Sequence, residues 1–209
     1  MKKRAKFIVL EGGEGSGKTS LLLALKEALG DSILTTREPG GSPYAEVIRD
    51  AALKHPLAGK ALPETMLCLM FASRFDHVNS KILPALEAGI PVITDRFDGS
   101  SFAYNVWAQS EGRLSDVFWN LRKQLAIAPD LYIYIDVPVE EGLRRAHSRN
   151  QTLLDGNHFD DREAFFHKKV REGYLEFFKE KSVRSAIIDG AQSLEKVKKD
   201  FADILQREL

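Results

Sequence analysis

Eight consecutive residues, Gly12-Gly13-Glu14-Gly15-Ser16-Gly17-Lys18-Thr19, constrain this chain more than any other stretch: they fit G-x-x-x-x-G-K-[ST] and follow directly on the apolar run Phe7 to Leu10. With a strand before it and a helix after it, this pattern is a phosphate cradle. Glycines let backbone N–H groups close around phosphate oxygens, Lys18 supplies a point charge, Thr19 can ligate Mg²⁺, and the positive end of the following helix adds to the attraction. A glycine-rich turn that binds nothing has no use for Lys18-Thr19. The expected ligand is a nucleoside triphosphate with Mg²⁺.

The rest of the chain supplies the setting that the cradle needs. Short apolar runs rich in β-branched residues recur at Phe7–Leu10, Ile33–Thr35, Val92–Thr94, Leu131–Ile135 and Ala186–Ile188. Their lack of in/out alternation predicts strands covered on both faces. Between them lie helically spaced segments, such as Leu21, Leu22, Leu25 and Leu29 closed by Gly30, and Ile82, Leu83 and Leu86 closed by Gly89. From Ser193 a stripe of Leu194, Val197, Phe201, Ile204 and Leu205 predicts a terminal amphipathic helix. The pattern is α/β: a parallel sheet with right-handed crossovers, whose ligands bind at the carboxyl ends of the strands. With 209 residues and no repeat or linker, residues 1–209 are expected to form one domain.

Several classes are excluded. Thirty Lys+Arg against thirty Asp+Glu leaves no basic excess for gripping nucleic acid, so an anion site must be built locally. The single cysteine, Cys68, permits no intrachain disulfide and no CxxC site. No apolar stretch reaches the length of a secretory signal or a membrane span, so a cytoplasmic protein without membrane contact is expected. Neither N-K-x-D nor D-x-x-G occurs, which argues against a GTPase switch, and the chain is too short and too uncharged for a nucleic-acid motor. A small phosphotransferase remains.

Thr36-Arg37-Glu38-Pro39-Gly40-Gly41 follows the second strand and Asp95-Arg96 the third, so Arg37, Asp95 and Arg96 are expected on the same sheet edge as the cradle. Moving a γ-phosphoryl group is mainly positioning and charge neutralisation, which calls for Mg²⁺, a lysine and several arginines.

Together these motifs resemble bacterial thymidylate kinases. The resemblance rests on the cradle with Glu14 inside it, Thr-Arg-Glu-Pro-Gly-Gly, Asp95-Arg96-Phe97 with Ser100-x-x-Ala103-Tyr104, Pro129-Asp130-Leu131, Val170-Arg171-x-Gly173-Tyr174 and the Ile188-to-Leu194 segment, in order over almost the whole chain. It implies a five-stranded, three-layer P-loop NTPase fold with a short lid, here about residues 145–162, that transfers the γ-phosphate of MgATP to dTMP and commonly dimerises. On the same resemblance Arg49 holds the acceptor phosphate with Arg96 as partner, Asp95 sits beside the metal or the acceptor, and Glu14 faces the acceptor sugar. Arg74 matches the arginine that reaches the thymine edge, Ser101 the small polar base contact, with Ser100 beside it among the substrate-binding residues, and Tyr104 the ring that crowds the 2′ position. Asn105 stands where relatives usually carry glutamine.

Two places depart from the family pattern. The base-stacking phenylalanine is expected four residues before Arg74, where this chain has Met70, with Phe71 one place off; either side chain can serve. The lid usually carries Asp-Arg-x-Glu, where this chain has Gly156-Asn157-His158-Phe159. Arg145 and Arg149 are then the candidates to contact ATP phosphates, with Arg144 and Arg162 behind them.

Plainer roles are open to each. Asp95 can cap a turn, Arg49 and Arg74 can be solvated helix charges, Tyr104 can be core, and Arg145 and Arg149 can simply complement a helix end. His55, His77, His147, His158 and His167 show no metal-ligand spacing and are read as surface or lid residues, and Trp107 and Trp119 as core anchors. Met70 and Asn105 leave open a kinase of another deoxynucleoside or modified pyrimidine monophosphate, and the altered lid leaves open a P-loop regulatory protein without turnover.

Overall fold

The computed structural model describes residues 4–150 and 163–209. Five strands, β1 (Phe7–Gly12), β2 (Leu34–Arg37), β3 (Val92–Asp95), β4 (Leu131–Asp136) and β5 (Ser185–Asp189), form one sheet in the order β2-β3-β1-β4-β5. All four pairings are parallel. The five apolar runs are these five strands, and β1 explains why none of them alternates in polarity. Phe7 and Val9 enter a core on one face with Phe71, Phe97, Phe118 and Phe177, whereas Ile8 and Leu10 enter another on the opposite face with Leu21, Val197, Phe201 and Leu205. Each such side chain taken out of water contributes roughly 1.5–3 kcal/mol, so both faces of β1 must be covered.

Helices α1 (Lys18–Leu29) and α9 (Leu194–Glu208) supply the second face. In α9 the buried residues Val197, Phe201 and Leu205 recur every four residues, as its sequence predicts. The first face is covered from α3 (Pro63–His77), α6 (Ser115–Arg122) and α8 (Glu163–Phe177). Between these lie α2 (Pro43–Leu53), α4 (Leu83–Glu87), α5 (Asp98–Ser101) and, after β4, α7 (Val139–Asn150). No described helix is long and apolar enough to cross a membrane.

Two stretches are wound as π-helix, Val78–Ile82 and Phe102–Ala108, and sequence periodicity does not anticipate either. The first precedes Pro84, whose missing N–H removes one donor from the ordinary ladder. The second receives α8 closely: a Cβ at Gly173 would lie 2.7 Å from Trp107 Cβ and 2.9 Å from Ala103 Cα. Only glycine permits that approach.

Register fixes what meets at the carboxyl edge. Arg37 is paired with Asp95, and Asp95 with Leu10, so β2 and β3 end side by side while β1 runs two residues further, to Gly12, into the cradle. The strand order reverses direction at β1, the position where ligands of such sheets bind.

Candidate active site

The cradle leaves β1 at Gly12 and turns through Gly15 (φ 64°) and Gly17 (φ 86°) into α1. Both angles lie in the left-handed region that favours glycine. Gly15 has a second reason to be glycine, since a Cβ there would fall 2.0 Å from the Gly142 carbonyl oxygen at the start of α7. Lys18 curls back over the loop, donating to Gly12 O at 2.9 Å, Gly13 O at 3.0 Å and Ser16 Oγ at 2.9 Å. Burial, and then the Arg96 guanidinium, lower its pKa to about 8 against the pull of Asp95, Glu14 and Glu11. A cavity of about 140 Å³ opens here, lined by the cradle together with Asp95 and Arg96.

Arg96 is held in an unusual backbone conformation for a non-glycine residue, φ 69°. Such a conformation costs on the order of 1–3 kcal/mol and persists only where neighbours over-determine it. They do: Arg96 N donates to Leu10 O at 2.9 Å, and Thr94 Oγ1 donates to Arg96 O at 3.0 Å. Its Nη1 donates to Gly12 O (3.1 Å), Ser100 Oγ (3.2 Å) and Tyr174 OH (3.0 Å), and Nη2 reaches Glu14 Oε1 at 3.3 Å. Behind it lies Glu11, fully buried, whose carboxylate accepts from Phe97 N, Ser100 N, Ser100 Oγ and Tyr174 OH. Burial raises the Glu11 pKa against these hydrogen bonds and the Arg96 charge.

On the β2 side, Arg37 Nη2 pairs with Glu46 at 3.1 Å and Arg49 Nη1 donates to Pro39 O at 2.7 Å. Burial, with the charges of Arg37 and Arg96, presses Arg49 below its ordinary pKa, although Glu46 and Asp50 oppose this. A group of arginines that repel one another is a site suited to an anion.

Arg74 is buried, with Nε on Glu38 Oε2 at 2.8 Å and Nη2 on Ser101 Oγ at 3.0 Å. Phe71 is only 1% exposed, with its ring 5.6 Å from that of Phe118, whereas Met70 is half-buried, four residues before Arg74 on the same face of α3. Asn105 is buried and donates to Gln109 Oε1 at 3.0 Å. The Tyr104 ring lies under the Arg96 guanidinium at 5.5 Å.

Arg145 is committed to Glu141 (2.6 Å) and Gly190 O (2.8 Å), and Arg144 pairs twice with Glu141. Both border a cavity of about 480 Å³ that also meets Gly15, Gly17, Ala191 and Gln192. The Arg149 side chain, Arg162 and most of the segment 145–162, with Gly156 to Phe159, lie outside the described residues.

Residue patterning alone missed Glu11, Glu38, His77 and Tyr174. His77 is the plainest correction: expected at the surface or lid, it is fully buried, because both ring nitrogens find partners inside, Glu38 and Thr36. Glu11 did carry a signal, a carboxylate interrupting an apolar strand one residue before the cradle.

A family model described as thymidylate kinase matches residues 10–201. The thymidylate kinase of Chlamydia felis is 41% identical over 194 residues, covering 90% of this chain and 91% of its own. That of a Thermoanaerobacter species is 40% identical over 210 residues, covering 99% of this chain and 100% of its own. The crystal structure of thymidylate kinase from Ehrlichia chaffeensis is similar with a TM-score of 0.74 at 27% identity, covering 98% of this chain and all of that one.

Proposed function

The chain belongs to the thymidylate kinase family, and from that premise we infer how its residues carry the reaction, transfer of the γ-phosphoryl group of ATP to dTMP giving dTDP and ADP. One observation carries the residue assignment. Among the described residues, the buried side-chain polar atoms without a hydrogen-bond partner are Arg74 Nη1, Asp95 Oδ1 and Tyr104 OH. Leaving such an atom unmet costs about 1–3 kcal/mol, so a fold that keeps three of them around one edge is suited to ligands that meet them. All three belong to residues that the family resemblance links to acceptor or metal.

In this reading Lys18 and Arg96 neutralise the group in transit, Arg37 and Arg49 hold the acceptor phosphate, and Glu14 faces the acceptor sugar. Met70, Arg74, Ser101 and Asn105 contact the base, Tyr104 crowds the 2′ position, and Ser100 steadies Arg96. Transfer is in line, with no covalent intermediate on the protein. The residues suit a divalent cation: Asp95 Oδ1 is an orphaned acceptor beside the cradle and the Thr19 hydroxyl stands at the start of α1. No group of three or more His, Cys, Asp or Glu among the described residues could hold a metal ion, which fits Mg²⁺, an ion that relies on phosphates and water for most of its ligands. Held by Asp95 and Thr19, Mg²⁺ would supply neutralisation of the phosphate charge. Arg145 and Arg149 remain the proposed phosphate contacts of the lid.

A cytoplasmic homodimer acting as one domain per chain completes the proposal, supported by the exposed Tyr44, Val47 and Leu62 on and beside α2 and α3. Sedimentation of the purified chain tests the dimer. The assignment of the reaction is tested by ADP release from MgATP with dTMP, dUMP, dCMP, dGMP, dAMP, UMP and CMP. Strong preference for dTMP is expected, and silence on all seven with ATP still bound would overturn it.

A further inference from the structure

Arg74 is a cation almost without water. It is 2% exposed, and its guanidinium carbon lies 4.8 Å from the Phe71 ring centroid and 4.9 Å from that of Phe97. Its counter-charge is Glu38, 4% exposed, whose Oε2 accepts from Nε at 2.8 Å. The other oxygen, Oε1, lies 3.0 Å from His77 Nδ1, and His77 Nε2 lies 2.8 Å from Thr36 Oγ1. A carboxylate only accepts, so Nδ1 carries the proton, and in the neutral ring Nε2 accepts from the Thr36 hydroxyl.

This is a chain of fixed directions. Thr36, at the end of the sheet, sets the ring, the ring sets one carboxylate oxygen, and the other oxygen sets the guanidinium. Arg74 and His77 stand three residues apart on α3 and so reach the same carboxylate from one face. Room for the ring comes from Gly41, where a Cβ would fall 2.4 Å from His77 Nε2. The loop bearing Glu38 is tied to α3 twice more, by Gly40 N to Ser73 Oγ at 3.0 Å and by Ser42 Oγ to Asp76 Oδ2 at 2.6 Å. With Nε and Nη2 used, Nη1 is the guanidinium nitrogen left buried and unmet.

We propose that Glu38 and His77 are positioning residues that aim Arg74 Nη1 at the carbonyl edge of the acceptor base, so that His77 helps determine selectivity for thymine or uracil over cytosine. A guanidinium only donates; it accepts a carbonyl partner and rejects the amino group that cytosine presents at that edge. A buried polar group left unpaired by the wrong substrate is a strong discriminator, provided it is held still. The proposal deepens the reading of Arg74 as a base contact and rests on it.

Steady-state kinetics with dTMP and dCMP, at varied ATP, provide the test. His77→Leu should raise KM for dTMP roughly tenfold, as expected for weakening one hydrogen bond to a charged group, and lower the dTMP-to-dCMP ratio of kcat/KM by a similar factor. KM for ATP should hold. His77→Asn, which keeps an N–H for Glu38, should recover most of the loss, and His77→Leu should add nothing on an Arg74→Lys background. A folded His77→Leu enzyme with the parent ratio, or one losing ATP and dTMP equally, overturns the proposal. If His77→Leu does not fold, the isosteric Glu38→Gln carries the same test with the same outcomes. Where Arg74→Lys alone loses selectivity and the His77 and Glu38 variants do not, only the positioning pair falls; where Arg74→Lys keeps selectivity, the base-contact reading falls and takes the pair with it.

Discussion

Lys18 titrates near 8 in the ligand-free protein because burial and Arg96 both disfavour its charge, and this makes nucleotide affinity depend on pH in a calculable way. At pH 7 about nine-tenths of the lysines carry a proton and at pH 9 about one-tenth, by the ordinary titration relation. Triphosphate oxygens against Nζ favour the charged form and move the bound pKa upward. Affinity for an ATP analogue should therefore fall about tenfold between pH 7 and pH 9, with uptake of close to one proton per nucleotide at the upper end. Calorimetric titration with a non-hydrolysable analogue and Mg²⁺, in two buffers of different ionisation enthalpy, reads both quantities. The analogue's own phosphates are largely ionised throughout that window. A dissociation constant that stays flat from pH 7 to 9 would refute the reasoning, as would the same slope in Lys18→Met. The shift has a counterpart in stability. Because the folded pKa lies below the unfolded one, the unfolded chain holds more protons between about 8 and 10.5, so this residue's penalty, about 3 kcal/mol below that window, is relieved as pH rises through it.

Arg96→Ala should lower kcat by about 10³-fold with ATP affinity far less changed, since the role proposed for it is charge neutralisation during transfer; stopped-flow turnover near the parent rate would sink that role. Gly15→Ala meets both a positive φ and the Gly142 carbonyl, at 2.0 Å from the new Cβ, and should lower the melting temperature by about 5 °C or more in a thermal scan, whereas an unshifted melt would show that α7 can move away freely. With Phe71 committed to the core, Met70→Phe should tighten dTMP binding roughly fivefold through stacking; fluorescence titration showing equal or weaker binding would remove Met70 from the base site.

Local features of the fold were readable from the residues. The cradle needs only eight consecutive positions, and each strand is announced by its own apolar run. Tertiary features were not. His77 reads as an isolated histidine until the loop forty residues earlier folds over α3 and brings Glu38 and Thr36 to its two nitrogens. Tyr174 enters the sequence only as the last member of the Val170-Arg171-x-Gly173-Tyr174 motif, with no role attached, yet it meets Glu11 and Arg96 across 163 and 78 positions of chain. Met70 and Phe71 show how narrow the margin is: one residue on a helix turns a side chain by about 100°, and here that separates a half-buried side chain on the Arg74 face from one locked in the aromatic core. The π-helical winding at Phe102–Ala108 had no periodic signature, although it carries Tyr104 and Asn105.

The strand order also divides the labour of the molecule. Strands β2 and β3 lie to one side of β1 and carry toward the edge the side chains proposed for the acceptor; β4 and β5 lie to the other side and lead into the larger cavity beside Gly15 and Gln192. The two halves meet at the loop that leaves β1, where Lys18 and Arg96 stand. On the proposed assignment, substitutions on the β2–β3 flank would change which monophosphate is accepted without touching the cradle or the cavity on the far side.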